Sequence, residues 1–222
     1  MQKIKVDLYS DVICPWCLVG AKRLDDAIAR LPDDVQVDVV HHPFYLDAEI
    51  PEDGVNTAAR LKAKYGREPG EMQAHVVKAA ADSGIALDFS VQPMSYPTQK
   101  SHVLIEAARF RGTQHQLARA IQRGYFLDGV NITDDAALAD IAAQNGFVRE
   151  EALAILSDKN ARQGIDQRAW IATARGITGV PFFIFADQFA LSGCQPDAVF
   201  DRAFEVARES LGEIEAAPAE QC

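Results

Sequence analysis

Cys14-Pro15-Trp16-Cys17 lies between two segments of different periodicity, and that placement limits what this chain can fold into. Residues 3–9 alternate as a strand through Ile4, Val6 and Leu8. From Pro15 onward Leu18, Ala21, Leu24, Ile28 and Leu31 recur at helical spacing. Cys14 therefore falls at a helix N-terminus, where unpaired backbone N–H groups and the helix dipole favour a thiolate. The thiolate is the form that attacks a disulfide, so Cys14 is the expected nucleophile, with a depressed pKa and the greater exposure. Two intervening residues let Cys17 reach back and resolve a mixed disulfide. Pro15 stiffens the turn and is tolerated because a first-turn proline loses no helical hydrogen bond. Zinc sites use the same spacing, but no second Cys-x-x-Cys completes a four-ligand set. His41 and His42, adjacent on a strand, point to opposite faces. No metal is expected.

The rest of the chain divides by pattern. Pro32-Asp33-Asp34 stops the first helix, and Val35, Val37, Val39 and Val40 form a second strand closing at His41-His42-Pro43-Phe44. Strand, helix and strand in close succession predict a parallel right-handed crossover. From about 48 to 175 nearly everything reads helical, with helices over 54–65, 71–83, 98–110, 113–127, 134–145, 150–156 and 160–175. Thr133 is the expected cap of the fifth of these. Strand character returns over 179–185 and 189–192, joined by a tight turn at Ala186-Asp187-Gln188 into a hairpin. A helix over 196–211 follows. Neither end has enough strands to cover a core alone. The expected organisation is one α/β domain from 1–46 and 176–212, an all-helical insertion over 47–175, and a flexible tail over 213–222.

Composition narrows the partners. The 222 residues carry a formal net charge of -10, which argues against a nucleic-acid groove or an anionic membrane surface. No apolar run is long enough to span a bilayer. Met1-Gln2-Lys3 passes straight into a strand without the apolar stretch of a secretory signal, so a cytoplasmic location is expected. Four cysteines are too few for a disulfide-stapled scaffold and agree with a redox role.

The arrangement of Ser10-Asp11-Val12-Ile13-Cys14-Pro15-Trp16-Cys17-Leu18-Val19-Gly20, Pro43-Phe44, Gly179-Val180-Pro181-Phe182-Phe183 and Ser192-Gly193-Cys194-Gln195-Pro196 resembles the DsbA-like branch of the thioredoxin fold, and within it the cytosolic FrnE-like proteins. The resemblance implies a thiol–disulfide oxidoreductase acting on peptide, protein or small-molecule thiols. It needs no bound cofactor, with glutathione as a candidate thiol co-substrate. It also implies a cis Val180–Pro181 bond beside the cysteine pair, offering main-chain groups to substrate. The kappa-class glutathione transferases and hydroxychromene-carboxylate isomerases share this architecture. They place a serine where Cys14 stands, so the second reading is a glutathione-dependent transferase or isomerase. A chaperone-like groove without chemistry is a third.

Other residues carry two readings each. Trp16 either contacts substrate or packs on the helical insertion. Asp11 either relays a proton or raises a cysteine pKa, or is a loop or cap residue. Cys194 stands where the family pattern has a small non-thiol residue, and is either an auxiliary thiol or a half-buried filler. Cys222 reads as a tail thiol. His41, His42 and His102 read as hydrogen-bonded packing residues. Met72, Met94 and Phe110 read as core or domain contacts unless they line the groove, and Phe182, Phe183 and Phe185 as strand and core.

Overall fold

The computed structural model describes the backbone of residues 1–66 and 68–216 and the side chains of 1–66 and 68–212. Cys222 and the end of the expected tail lie outside the described residues. Strand β1 (Gln2–Ser10), helix α1 (Pro15–Ala29) and strand β2 (Val35–Pro43) open the chain, and β1 and β2 pair in parallel with Gln2 opposite Val35. Strands β5 (Phe182–Phe185) and β6 (Phe189–Ser192) close the sheet, and helix α9 (Asp197–Ala216) follows. The sheet order is β2-β1-β5-β6, with β5 antiparallel to both neighbours. Its four strands thus come from the two ends of the chain.

Between them run α2 (Thr57–Tyr65), α3 (Gly70–Asp82), α4 (Gln99–Ala108), α5 (Gln114–Asp128), α6 (Asp135–Ala143), α7 (Arg149–Ser157) and α8 (Lys159–Ala174). This stretch is not wholly helical. Strands β3 (Val55–Asn56) and β4 (Met94–Ser95) pair as a short antiparallel ribbon. The ribbon holds Val55 and Asn56 extended, and the Asn56 side chain accepts from Ala59 N at 2.9 Å. Helix α2 therefore starts at Thr57 rather than at residue 54. Asp134, not Thr133, caps α6: its carboxylate accepts from Ala136 N and Ala137 N, while Thr133 bonds Asn131. Helix α4 tightens into a 3₁₀ turn at Arg109–Arg111, which leaves Phe110 88% exposed and not in the core. Helix α9 continues to Ala216, past the expected end at 211.

Three packed groups hold the fold. Ile4, Val6 and Leu8 of β1 and Phe183 and Phe185 of β5 point to one sheet face, where Ala21, Leu24 and Ala27 of α1 and Phe200 and Phe204 of α9 cover them. Phe200 and Phe204 meet Phe183 and Phe185 edge-on, with centroids 5.1 and 5.2 Å apart. Such pairs add about 0.5–1.5 kcal/mol each beyond area burial. Tyr9, Phe182 and Ile184 face the other way, toward Phe44, Ala172 and Ile177. The third group is helical, and it takes in Val12 from the turn before α1 and Leu18 and Val19 from its start. Helix α1 thus belongs to two cores: its first turns to the helical one, the remainder to the sheet.

A chain of polar groups ties α1, α5 and β2 together. Arg119 of α5 donates to the Leu18 carbonyl at 3.0 Å and to Asp25 at 3.1 Å. Asp25 bonds His115 at 2.6 Å, and His115 Nδ1 meets His41 Nε2 at 2.8 Å. Gln114 brackets the His41 backbone, donating to its carbonyl and accepting from its N–H. His42 lies on the opposite sheet face, stacked on Tyr9 and bonded to Asp7 at 2.7 Å. Burial, with the nearby His115 and Arg119 charges, holds the His41 pKa well below the usual histidine value. The unfolded chain therefore binds the extra proton. Stability present in full above about pH 6.5 is lost as pH falls toward the folded-state value, by up to about 1.4 kcal/mol per pH unit. We expect the loss of denaturant stability between pH 7.5 and pH 5.5 to be smaller in His41→Gln than in wild type. Equal losses in the two proteins would remove His41 as its source.

Candidate active site

Three local features bring the cysteines to one point. The β1 strand ends at Ser10, and the tight stretch to α1 closes with Cys14 N donating to the Asp11 carbonyl at 3.2 Å. Cys14 is the N-cap residue, with extended backbone (φ -86°, ψ 111°). Its carbonyl accepts from Cys17 N at 3.0 Å and Leu18 N at 3.2 Å. No side chain caps α1 and its first turn holds no carboxylate, so the positive end of the helix is left for the Cys14 sulfur. The antiparallel register of β5, Tyr9 opposite Phe182, then lays the preceding Val180–Pro181 loop across the end of β1. That peptide bond is cis. Cys14 Sγ lies 3.7 Å from the Val180 carbonyl oxygen.

Helix and loop approach so closely because residue 20 is glycine. A Cβ there would meet Pro181 Cγ at 3.0 Å and Phe183 Cζ at 3.3 Å, both in packed rings. Gly20 stands within α1, so its helix-propensity cost of about 1 kcal/mol relative to alanine is offset by this contact. On the far side of the loop Gly193 N donates to the Pro181 carbonyl at 2.8 Å, which sets Cys194 beside it. Cys194 is half-buried against the helical core. Burial pushes its thiol up, and the Arg23 charge opposes this. Cys14, Cys17 and Cys194 are all free thiols.

Exposure is the main surprise. Cys14 is only 3% exposed, against 0% for Cys17, so the expected order holds but Cys14 is not a surface thiol. It lines a cavity of about 260 Å³ between the cysteine turn and helices α2, α3 and α5, shared with Pro15, Trp16 and Val180. Trp16, 37% exposed, forms part of that wall, as does Met72. Burial pushes the Cys17 thiol well above its ordinary pKa and the neighbouring Cys14 sulfur adds to this; the Asp11 backbone opposes it through a hydrogen bond, while the Asp11 charge raises it. A larger cleft of about 580 Å³, walled by Tyr45, Asp166 and Trp170, includes neither cysteine.

Asp11 is 1% exposed beneath the turn. It accepts from Leu46 N at 2.8 Å and lies 3.4 Å from His102 Nε2. The sequence singled out Asp11 by its place before the motif. Its partner His102 lies 91 residues away on α4, with no local signal linking the two. Arg60 and Lys64 of α2, also on the cavity wall, were equally invisible to spacing or pattern.

A parallel β1-α1-β2 unit, a cysteine pair at its strand–helix junction and a cis-proline loop opposite define a thioredoxin-type redox domain. The chain belongs to the DsbA-like thioredoxin domain family, whose model matches residues 5–205. Among solved structures it is similar to a probable DsbA oxidoreductase from Streptomyces coelicolor, at 32% identity and a TM-score of 0.83, covering 99% of this chain and 94% of that one. It is also similar to the cytosolic disulfide reductase DsbM from Pseudomonas aeruginosa with GSH (15% identity, TM-score 0.62, 95% and 99% covered). A 2-hydroxychromene-2-carboxylate isomerase aligns as well (17% identity, TM-score 0.66, 95% and 95% covered). The last two show the fold alone. The comparison with curated proteins gives no match.

The Asp11 charge raises the Cys17 thiol in the same direction as burial does. In a Cys14→Ser background, Asp11→Asn should lower the Cys17 pKa, read from thiolate absorbance against pH. The amide keeps an acceptor for Leu46 N. An unchanged or raised Cys17 titration would remove Asp11 from the site's electrostatics.

Proposed function

We propose that this protein is a thiol–disulfide oxidoreductase in which Cys14 attacks and Cys17 resolves. The observation that carries the reading is the position of the Cys14 sulfur. It sits at an uncapped helix N-terminus, beside the Val180 carbonyl, on the wall of a cavity, with Cys17 sealed behind it. In the reducing direction Cys14 displaces one sulfur of the substrate disulfide, and Cys17 then displaces the other while bonding to Cys14. The protein gives up two electrons and two protons, and two substrate thiols leave. The reverse sequence oxidises a dithiol. Burial keeps Cys17 protonated, so it does not compete as first nucleophile.

In this reading Trp16 and Pro15 contact substrate, and Val180 and Pro181 supply the main-chain edge. Asp11 tunes Cys17, and Cys194 is a filler beside the loop. Residues 1–46 and 176–212 act as the redox unit, and 47–175 as the part that covers it. Glutathione is a candidate thiol co-substrate, and a cytosolic setting is part of the proposal. Both are supported by the likeness to the cytosolic reductase with GSH. No helix of the described residues is long and apolar enough to cross a membrane.

Equilibration in glutathione buffers, thiol trapping and mass mapping test the pair directly. One reversible Cys14–Cys17 disulfide is expected. Cys14→Ser should abolish disulfide exchange, lowering the rate by at least about a hundred-fold. Cys17→Ser should accumulate a mixed disulfide on Cys14. A pair that never oxidises, together with glutathione conjugation or isomerisation that survives loss of Cys17, would replace this reading with the transferase or isomerase one.

A further inference from the structure

The cavity over Cys14 carries information about what reaches the sulfur. Building on the oxidoreductase reading, we propose that it selects small disulfides with an apolar body and an anionic group over polypeptide strands. Size is the first argument. A volume of about 260 Å³ lies below the roughly 300–1,000 Å³ of ordinary small-molecule sites. The 3% of Cys14 that is exposed lies in its wall. A polypeptide would have to bring its own backbone to that sulfur through this space, between the cysteine turn, α2 and Leu46.

Polarity is the second argument. Several polar side chains of the wall are spent on the protein itself. Gln92 donates to the Val130 carbonyl at 3.1 Å and accepts from Met94 N at 3.2 Å. The hydroxyls of Ser95 and Thr57 bond each other at 2.9 Å, and Tyr125 donates to the Met94 carbonyl at 2.8 Å. What remains for a ligand is mostly apolar, Ile50, Leu61, Met72 and Phe89 among others, with the Gln73 amide as a polar exception. A ligand rich in hydrogen-bonding groups would be left unpaired there, which costs more than the apolar contact returns.

Charge is the third. Asp47 and Arg60 on the wall cancel through two bonds of 2.7 and 2.8 Å. Lys64 is also on the wall and pairs with no carboxylate among the described residues. It donates to the Leu46 carbonyl at 3.1 Å and lies 5.8 Å from the Tyr65 ring centroid. On a chain of net charge -10, the wall thus sets two cations, Arg60 and Lys64, against one carboxylate, Asp47, with Arg60 also reaching Glu49 at 3.3 Å outside it. A carboxylate or sulfonate on an apolar body would place its charge there and its disulfide at Cys14. Exchange then proceeds as written above: the substrate S–S bond breaks, the Cys14–Cys17 bond forms, and two small thiols leave with the two protons.

The probes are bis(carboxyphenyl) disulfide, its neutral dicarboxamide of the same size, glutathione disulfide and a cystine-bridged peptide. The rate of each with the reduced protein is divided by its rate with dithiothreitol, which removes intrinsic reactivity. The carboxyphenyl disulfide should give the largest normalised rate. Its advantage over the dicarboxamide should fall about three-fold in Lys64→Gln and about ten-fold in Lys64→Glu, and should shrink in molar salt. Lys64 is on the exposed face of α2, so these variants keep the fold. An advantage that survives Lys64→Glu overturns the inference. So does a larger normalised rate for the peptide or for polar-bodied glutathione disulfide. Failure to exchange with any disulfide overturns the oxidoreductase reading on which it rests.

Discussion

Helix α1 is held in two hydrophobic cores at once, and the rest of the structure depends on that double anchorage. Leu18 and Val19 are buried among the helices of the central stretch. Ala21, Leu24 and Ala27, one to two turns later, are buried against the sheet. Fully burying a leucine contributes about 1.5–3 kcal/mol, so neither end of α1 can shift without cost to the other. The Arg119 bonds to the Leu18 carbonyl and to Asp25 reinforce this along the helix face. The Cys14 sulfur at the N-terminus of this helix therefore has a position set by both packed units.

The sheet makes the second half of the site by register. With Tyr9 opposite Phe182, the residues before β5 must pass the end of β1, where the cysteine turn begins. A proline there has no N–H to satisfy, and Gly20 lets α1 come against its ring. This packing, with the β1–β5 ladder and the Gly193 N–H bond to the Pro181 carbonyl, places the Val180 carbonyl beside the Cys14 sulfur. The polar groups that do appear are arranged underneath. Asp11 is fixed by Leu46 N and His102, and its charge joins burial in keeping the Cys17 proton in place.

The helical stretch does more than enlarge the protein. The β3–β4 ribbon sets the start of α2, and α2 carries Arg60 and Lys64 onto the wall of the cavity. Because this stretch closes over Cys14, the sulfur is reached through a defined space rather than across an open surface.

The sequence by itself determined the order of elements, the strand–cysteine–helix junction, the closing hairpin and the family. These depend on local periodicity and on turn residues, which act over a few positions. It did not contain the ribbon, because two-residue strands have no periodicity to read. It placed the cap of α6 one residue early, since Thr133 and Asp134 are both capping types and only the backbone path decides between them. It marked Asp11 and His102 separately but not their pairing, and the cysteines but not the depth at which they lie. Cys14 at 3% exposure, the Asp11–His102 pair across 91 residues and the cation of α2 at the cavity are all decided by tertiary packing. Burial and long-range pairing depend on which surfaces meet, and no local pattern encodes that.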